Sequence, residues 1–371
     1  MYSGQAPSIR RFSFPPFPSV CRRVLNGAFG VLAIACAVTA VTGCSEKTAG
    51  PIPHLSMPPS TGFRLIQPTP TVVPATSQSP QAPPYIGTLY TIAVPHPGTV
   101  LVAGAQSTIW RIQEKTGSWT KIPSPVSDDL YKMVFVDPEK GFIVGDDGVI
   151  LSTADGGKSW IRVASPIQNG FLQDIDFPDA RTGYIVGEKG SLLTTHDGGR
   201  TWKALPSPTG QNLYAVYFRD ALHGWVAGWG RTFLETRDGG RTFSPVPLSI
   251  PRVTRQDPSF NALWGQGERV VLAGDHGLLY RSSDGGRSFA RIALPAERDL
   301  YGICEEGQAG LVVAGGEGTL FMVGESGSVR SLIPPAPVAD FLGVSCGSTH
   351  VRVAGVPDII LLPLDQAKVQ P

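Results

Sequence analysis

From Leu89 onward, short apolar runs alternate with polar turns, and the runs recur at three fixed registers. The first is a run that opens on a large apolar residue: LYTIAV at Leu89, LYKMVF at Leu130, FLQDIDF at Phe171, LYAVYF at Leu213, FNALWG at Phe260, LYGICE at Leu300 and FLGVSC at Phe341. The second is an apolar run ending in a small residue and glycine, at Gly104, Gly145, Gly187, Gly228, Gly274, Gly315 and Gly355. The third is an acidic turn ten residues after that glycine, with an aromatic residue at fifteen: Asp155 with Trp160, Asp197 with Trp202, Asp238 with Phe243 and Asp284 with Phe289. The outer copies are weaker, Glu114 with Trp119 and Glu325 with no aromatic at Arg330. Apolar runs this short, bounded by Gly, Asp and Ser, predict β-strands, and no long segment carries a helical period.

The four clear turns read TADGGKSW, THDGGRTW, TRDGGRTF and SSDGGRSF, with their Asp residues 42, 41 and 46 residues apart. Self-similarity at that period is the mark of a repeat architecture. In each turn the Asp carboxylate can accept backbone N–H groups, and the glycines tolerate positive φ. The aromatic residue then opens an outer strand and packs between sheets. Seven units of four strands predict an all-β, seven-bladed β-propeller spanning residues 86–371. In the last unit the acidic register falls on Asp365 and the aromatic register on Gln370, so its outer strand is missing. FRLIQP, residues 63–68, matches WTKIPSP and WKALPSP in spacing and is expected to complete the last blade, which would remove an exposed edge. Thr71–Pro74 is the other candidate for that strand.

The 44 glycines and 34 prolines suit a chain of many turns. Residues 1–43 carry four arginines and no acid; without them, 27 basic residues face 30 acidic ones. That balance gives no reason to expect nucleic-acid binding. Arg10, Arg11, Arg22 and Arg23 precede an apolar run from Val24 to Val41, the pattern of a secretory signal over residues 1–43, with an uncleaved membrane anchor as the alternative. The VTGC that follows resembles the lipobox of bacterial lipoproteins, which would make Cys44 the lipidated first residue of an exported chain. Ser45 after it resembles an outer-membrane sorting signal. Residues 44–62 read as a tether and residues 69–85 as a Pro-rich linker. Cys304 and Cys346 lie in neighbouring units but one register step apart. Export permits a disulfide, yet that offset speaks against its geometry, and two buried thiols are expected.

The repeats FVDPEKGFIVGDDGVILSTADGGKSW, FPDARTGYIVGEKGSLLTTHDGGRTW and FRDALHGWVAGWGRTFLETRDGGRTF resemble those of the Ycf48/Hcf136 family of photosystem II assembly factors. The Asp turn itself is similar to the Asp-box of sialidases and other BNR-repeat proteins. The family resemblance covers roughly residues 86–363. It implies a seven-bladed propeller that holds a membrane-protein subunit during assembly.

If the strands alternate in direction, Asp155, Asp197, Asp238 and Asp284 are structural turn residues on one face, with Trp160, Trp202, Phe243 and Phe289 packing beside them. Identical copies around a ring cannot share one substrate. The opposite face collects varied loops, and these are the candidate partner-binding residues: Asp146, Asp147, Glu188, Lys189, Trp229 and Arg231 in the earlier units. Asp275, His276, Arg298 and Glu317 follow in the later ones, and Arg255 lies in a longer insert, Pro251–Pro258. Asp174 and Asp176 are the only inner-strand carboxylate pair of the kind glycosidases use. No spacing of His or Cys suggests zinc, and no glycine loop suits a phosphate. The expected function is therefore a non-catalytic, lipid-anchored propeller without cofactor or metal, a monomer that binds a protein subunit of a membrane or envelope complex. The alternatives are a glycan-binding or sialidase-like propeller and a structural lipoprotein without a specific ligand.

Overall fold

The computed structural model describes residues 87–249, 257–306, 310–332, 340–347, 350–356 and 359–363. Every named strand pairs antiparallel with its sequence neighbours, so each sheet is a meander. In blade 1 the strands are Leu89–His96, Thr99–Gly104, Ile109–Gln113 and Ser118–Lys121. Blades 2 to 6 repeat this order, their first strands being Leu130–Phe135, Leu172–Asp176, Leu213–Phe218, Phe260–Gln266 and Leu300–Glu306. The last sheet has three strands, Asp340–Cys346, His350–Val356 and Ile359–Pro363.

The expectation of a seven-bladed propeller of four-stranded blades is thereby corrected: among the described residues there are six four-stranded blades, and the remaining sheet has three strands. Its proposed completing strand, residues 63–68, and Thr71–Pro74 lie outside the described residues, as do the signal, tether and linker. The first strands pack side by side in chain order, and Leu89–His96 also packs against Asp340–Cys346. They therefore surround a common axis.

The second strands are dry: Thr99–Gly104, Gly141–Gly145, Gly183–Gly187, Gly224–Gly228 and Gly310–Gly315 are buried throughout. Strands buried on both faces read as continuous apolar runs, which is why this register was so regular in the sequence. The core is a set of clusters between neighbouring sheets rather than one central mass. One joins Leu101 and Ile109 of blade 1 to Met133, Leu151 and Trp160 of blade 2. The next joins Phe142 and Ile150 to Ile185, Leu193 and Trp202. Another joins Leu89, Val100 and Val102 of blade 1 to Ala354 of the last sheet.

Adjacent first strands are staggered by one residue. The Met133 N–H donates to Thr91 Oγ1 at 3.0 Å, and the Val216 N–H donates to Asp174 Oδ2 at 2.9 Å. Both contacts join the third residue of one strand to the fourth of the next. The Phe218 N–H donates to Asp176 Oδ2 at 2.6 Å, joining fifth to sixth. Counted from Leu300 and Phe341, which pair with Gly315 and Gly355, Cys304 and Cys346 occupy those same fifth and sixth positions and form a disulfide, with Cα atoms 5.5 Å apart. The expectation of two separate thiols is thus overturned. The offset of one step, read as a mismatch, is the stagger of this ring. One other register is corrected: Leu172, not Phe171, opens the first strand of blade 3, since it is Leu172 that pairs with Gly187.

Candidate functional site

Each Asp turn joins a third strand to a short outer strand, and the varied loops join second to third strands, so the two lie at opposite ends of every third strand. In blade 2 the Thr153 hydroxyl donates to Asp155 Oδ1 at 2.7 Å and accepts the Gly157 N–H at 3.0 Å. The other end of the carboxylate takes the Ser159 hydroxyl at 2.6 Å, and Oδ1 takes the Ser159 N–H at 3.0 Å. Asp197, Asp238 and Asp284 repeat this arrangement with Thr201, Thr242 and Ser288. The slight burial of Asp155 pushes its pKa up, but these donors outweigh it and hold the carboxyl down to about 2. The Thr242 hydroxyl and N–H do the same for Asp238, and Asp197 and Asp284 are also held well below the usual range. Carboxylates so fully occupied serve as turn anchors. The hydroxyls two residues before and four after each Asp were missed in the sequence reading, although all four copies carry Ser or Thr at both places.

The inner-strand carboxylates are also committed. Asp174 takes the Lys132 ammonium at 3.1 Å from blade 2 and the Val216 N–H from blade 4. Asp176 is pushed up to about 7, chiefly by burial and then by the charge of Asp174. Both carboxylates tie blade to blade. Among the tyrosines of this layer, Tyr90 and Tyr131 tilt together with ring centroids 5.4 Å apart.

On the loop face, Asp147, Lys189, Arg231, His276 and Glu317 all adopt left-handed backbone, with φ between 50° and 64°. The main chain at these positions is stitched to the entry of the next sheet. The Lys189 N–H donates to Asn212 Oδ1, His276 to Asp299 Oδ1 and Glu317 to Asp340 Oδ1, each at 2.9 Å, and Gln106 donates to Asp129 Oδ1 at 2.8 Å. These acceptors stand immediately before the strand-opening residue, a signal legible in the sequence but not used. Asp147 reverses the direction and accepts the Asn169 N–H. The candidate side chains therefore project from a fixed frame.

Their charges partly cancel. Lys189 pairs with Glu188 at 3.2 Å, Arg231 with Asp257 at 2.9 Å and Arg298 with Glu317 at 2.9 Å. What remains among the described residues is acidic. Asp146 is raised by burial and by the neighbouring charges of Asp129, Asp128 and Asp147. Asp275 is raised by burial and by Asp299. Trp229 stands 44% exposed among these loops. Cys44 and Arg255 lie outside the described residues. No group of His, Cys, Asp and Glu suited to a metal occurs among the described residues.

Fold and site together define a β-propeller of Asp-box repeats whose loops stand on a stitched frame. The family model described as Photosynthesis system II assembly factor YCF48 matches residues 111–170, 156–210 and 201–331, and the chain belongs to that family. Among curated relatives, the Photosystem II assembly lipoprotein Ycf48 of a Synechocystis strain is 41% identical over 58 residues, 15% of this chain and 17% of that protein. The match is local: the three curated relatives are covered over 12%, 15% and 17% of their lengths. Among solved structures, one described as YCF48 bound to D1 peptide aligns with a TM-score of 0.61 at 15% identity, covering 76% of this chain and 92% of that one. The GH74 enzyme of Niastella koreensis aligns with a TM-score of 0.60 at 13% identity, covering 74% of this chain and 52% of that one. At such identities the structural likeness establishes the fold alone.

Proposed function

We propose that this protein is a non-catalytic propeller that binds a protein subunit of a membrane or envelope complex and acts in its assembly or stability. The carrying observation is membership of a family described as photosystem II assembly factors, over more than half of the chain. Several facts support the reading. A structural relative of 0.61 TM-score is described with a D1 peptide bound to it. The Asp-box carboxylates and the Asp174–Asp176 pair are occupied by structural hydrogen bonds, and this argues against the glycosidase alternative. The loops of the opposite face are held rigid, so a partner meets a preorganised surface. The chain is exported as a monomer and held at the membrane by a lipid on Cys44, on the strength of the lipobox at residues 41–44 and of a relative named as a lipoprotein. In a Gram-negative cell it faces the periplasm from the outer membrane.

Photocrosslinkers placed at Glu188 on the loop face and at Thr201 on the Asp-box face test the reading in intact membranes. Capture of an integral membrane-protein subunit from Glu188 alone is the expected result. Capture from neither face, or equally from both, would overturn it. Cys44→Ala is expected to move the protein from the membrane to the soluble fraction, and retention at the membrane would remove the lipid anchor from the proposal.

A further inference from the structure

Three asparagines fall within the described residues, and the fold treats one of them differently. Asn212 accepts the Lys189 N–H through Oδ1 at 2.9 Å. Asn261 donates through Nδ2 to Asp275 Oδ1 at 2.9 Å and to the Leu300 carbonyl at 3.1 Å. Asn169 is exposed on the connection between blades 2 and 3, which runs from the outer strand Ile161–Arg162 to Leu172. Among the described residues its side-chain amide makes no hydrogen bond. The residue that follows differs as well. Asn212 precedes Leu213 and Asn261 precedes Ala262, and both of those sit in first strands, opposite Gly228 and Ala273. Asn169 precedes Gly170, which lies outside any strand.

Gly170 has no side chain to shield its own nitrogen. Among the described residues that N–H donates to nothing. The stitching of the loop face holds the groups on either side instead. The Asn169 N–H donates to Asp147 Oδ1 at 2.9 Å, and the Gly170 carbonyl accepts the Gly148 N–H at 2.6 Å. Asn169 itself is held in left-handed backbone, φ 56°, which asparagine tolerates better than most residues. The ends of the dipeptide are pinned, while the amide carbon of Asn169 and the nitrogen of Gly170 are unengaged. A nucleophile and an electrophile joined by so few bonds react with little further loss of entropy.

We propose that Asn169 and Gly170 form a self-modifying site on the loop face. The Gly170 nitrogen bonds to Asn169 Cγ, the Cγ–Nδ2 bond breaks, and ammonia leaves with the hydrogen that the nitrogen gives up. The product is a cyclic imide. Water then opens one of its two carbonyls. Opening at Cγ leaves aspartate in an ordinary chain, and opening at the Asn169 main-chain carbonyl leaves isoaspartate. Water is the one outside reactant, and nothing is oxidised or reduced. Either product adds a negative charge beside Asp147 and beside Glu188, whose Oε2 lies 3.2 Å from where a Cβ on Gly170 would stand. A charge added among like charges changes what this face attracts. The inference concerns the chain itself and stands whether or not a partner binds.

The test incubates the full mature chain in warm, mildly alkaline buffer. Mass spectrometry of the tryptic peptide from Val163 to Arg181 follows the amide becoming an acid, and enzymatic methylation counts isoaspartate. Asn169 is expected to convert steadily, and faster as pH rises, because the attacking nitrogen must lose its proton. Asn212 and Asn261 are expected to stay intact in the folded chain. Gly170→Ala should slow the conversion several-fold. A Cβ there approaches most closely the end of the flexible Glu188 side chain, so the melting temperature should match the wild type. Asn169→Gln keeps an amide one methylene further out and should not convert on the same timescale. A short peptide of the same sequence, which has no fold, shows that the buffer supports the reaction. Asn169 left intact under conditions that convert this peptide would overturn the inference. So would equal conversion of Asn212 and Asn261, or an undiminished rate in Gly170→Ala.

Discussion

Blades 2 to 5 and the sector where the ring closes pack their sheets by different means. In the repeated arc, the second glycine of three of the four Asp boxes lies hard against the second strand of the preceding blade. A Cβ on Gly157 would meet Leu101 Cδ1 at 2.3 Å, one on Gly199 would meet Phe142 Cζ at 2.3 Å, and one on Gly286 would meet Trp225 Cζ2 at 2.3 Å. These glycines also have φ between 77° and 80°, so both space and backbone exclude a side chain. The box thus shapes a turn and locks two blades in one stroke. The closing sector lacks that device. Blade 6 turns through Gly324 to Ser328 with Glu325 in place of Asp, and among the described residues the last sheet has three strands. There the ring is held by particular pairs: the Cys304–Cys346 disulfide, and a bidentate ion pair from the buried Arg352 to Glu114 at 2.6 and 3.0 Å, across 238 residues of chain. Where repetition supplies the interface, each copy contributes the same small fit. Where it fails, covalent and ionic staples take over.

The largest effect is expected in the repeated arc. Trp202 stands edge-on to Phe142 and Phe177, with centroids 6.3 and 5.8 Å away. Trp202→Ala should cost about 3–5 kcal/mol, as truncations of buried aromatics do. Trp160→Ala should be similar, read as a lowered denaturation midpoint. An unchanged midpoint in either would show that the box aromatics do not hold the arc.

Next comes the closing sector. Replacing Cys304 and Cys346 together by serine releases a loop with a sequence separation of 42. A loss of about 2–4 kcal/mol is expected from loop entropy. Reduction of the wild type should give the same loss, and a loss below the error of the urea titration would mean that the ion pair and packing suffice for closure. Gly199→Ala should cost less, about 1–3 kcal/mol of overpacking against Phe142, by the same titration. If it proves as mild as a surface change, the glycine lock is not what distinguishes the arc.

The remaining effects lie in pH dependence, with two opposite signs. Asp155 and Asp238 have folded values lowered to about 2. Their contribution is complete above about pH 4 and fades as pH falls towards 2. Asp176 is raised to about 7, so the folded state holds its proton more tightly than the unfolded chain does. Stability should therefore decline as pH rises from about 4 to about 7. Asp174 and Lys132 are the charges facing it. Asp176→Asn keeps an oxygen for the Phe218 N–H and should flatten the upper slope alone, seen in midpoints at mildly acidic and mildly alkaline pH. A slope that persists in this variant would assign the effect elsewhere.

The sequence by itself determined the blade plan, because each sheet pattern is local: a buried second strand, an aromatic-opened outer strand and a DGG turn repeat within 41 to 46 residues. It also placed the varied loops at the end opposite the Asp turns. It did not reveal what those loops do with their polar groups. Asp129, Asn212, Asp299 and Asp340 are neighbours of the loops only in space, so their role as acceptors appeared with the fold. Nor could it show that, among the described residues, six blades carry four strands while the last sheet carries three. The one-residue stagger between first strands was decided by tertiary packing, and that stagger made a disulfide of two cysteines that looked misaligned in the linear register. The same holds for Arg352 with Glu114. Contacts between distant residues depend on how sheets sit around the axis, and periodicity along a chain fixes the sheets but not their offset.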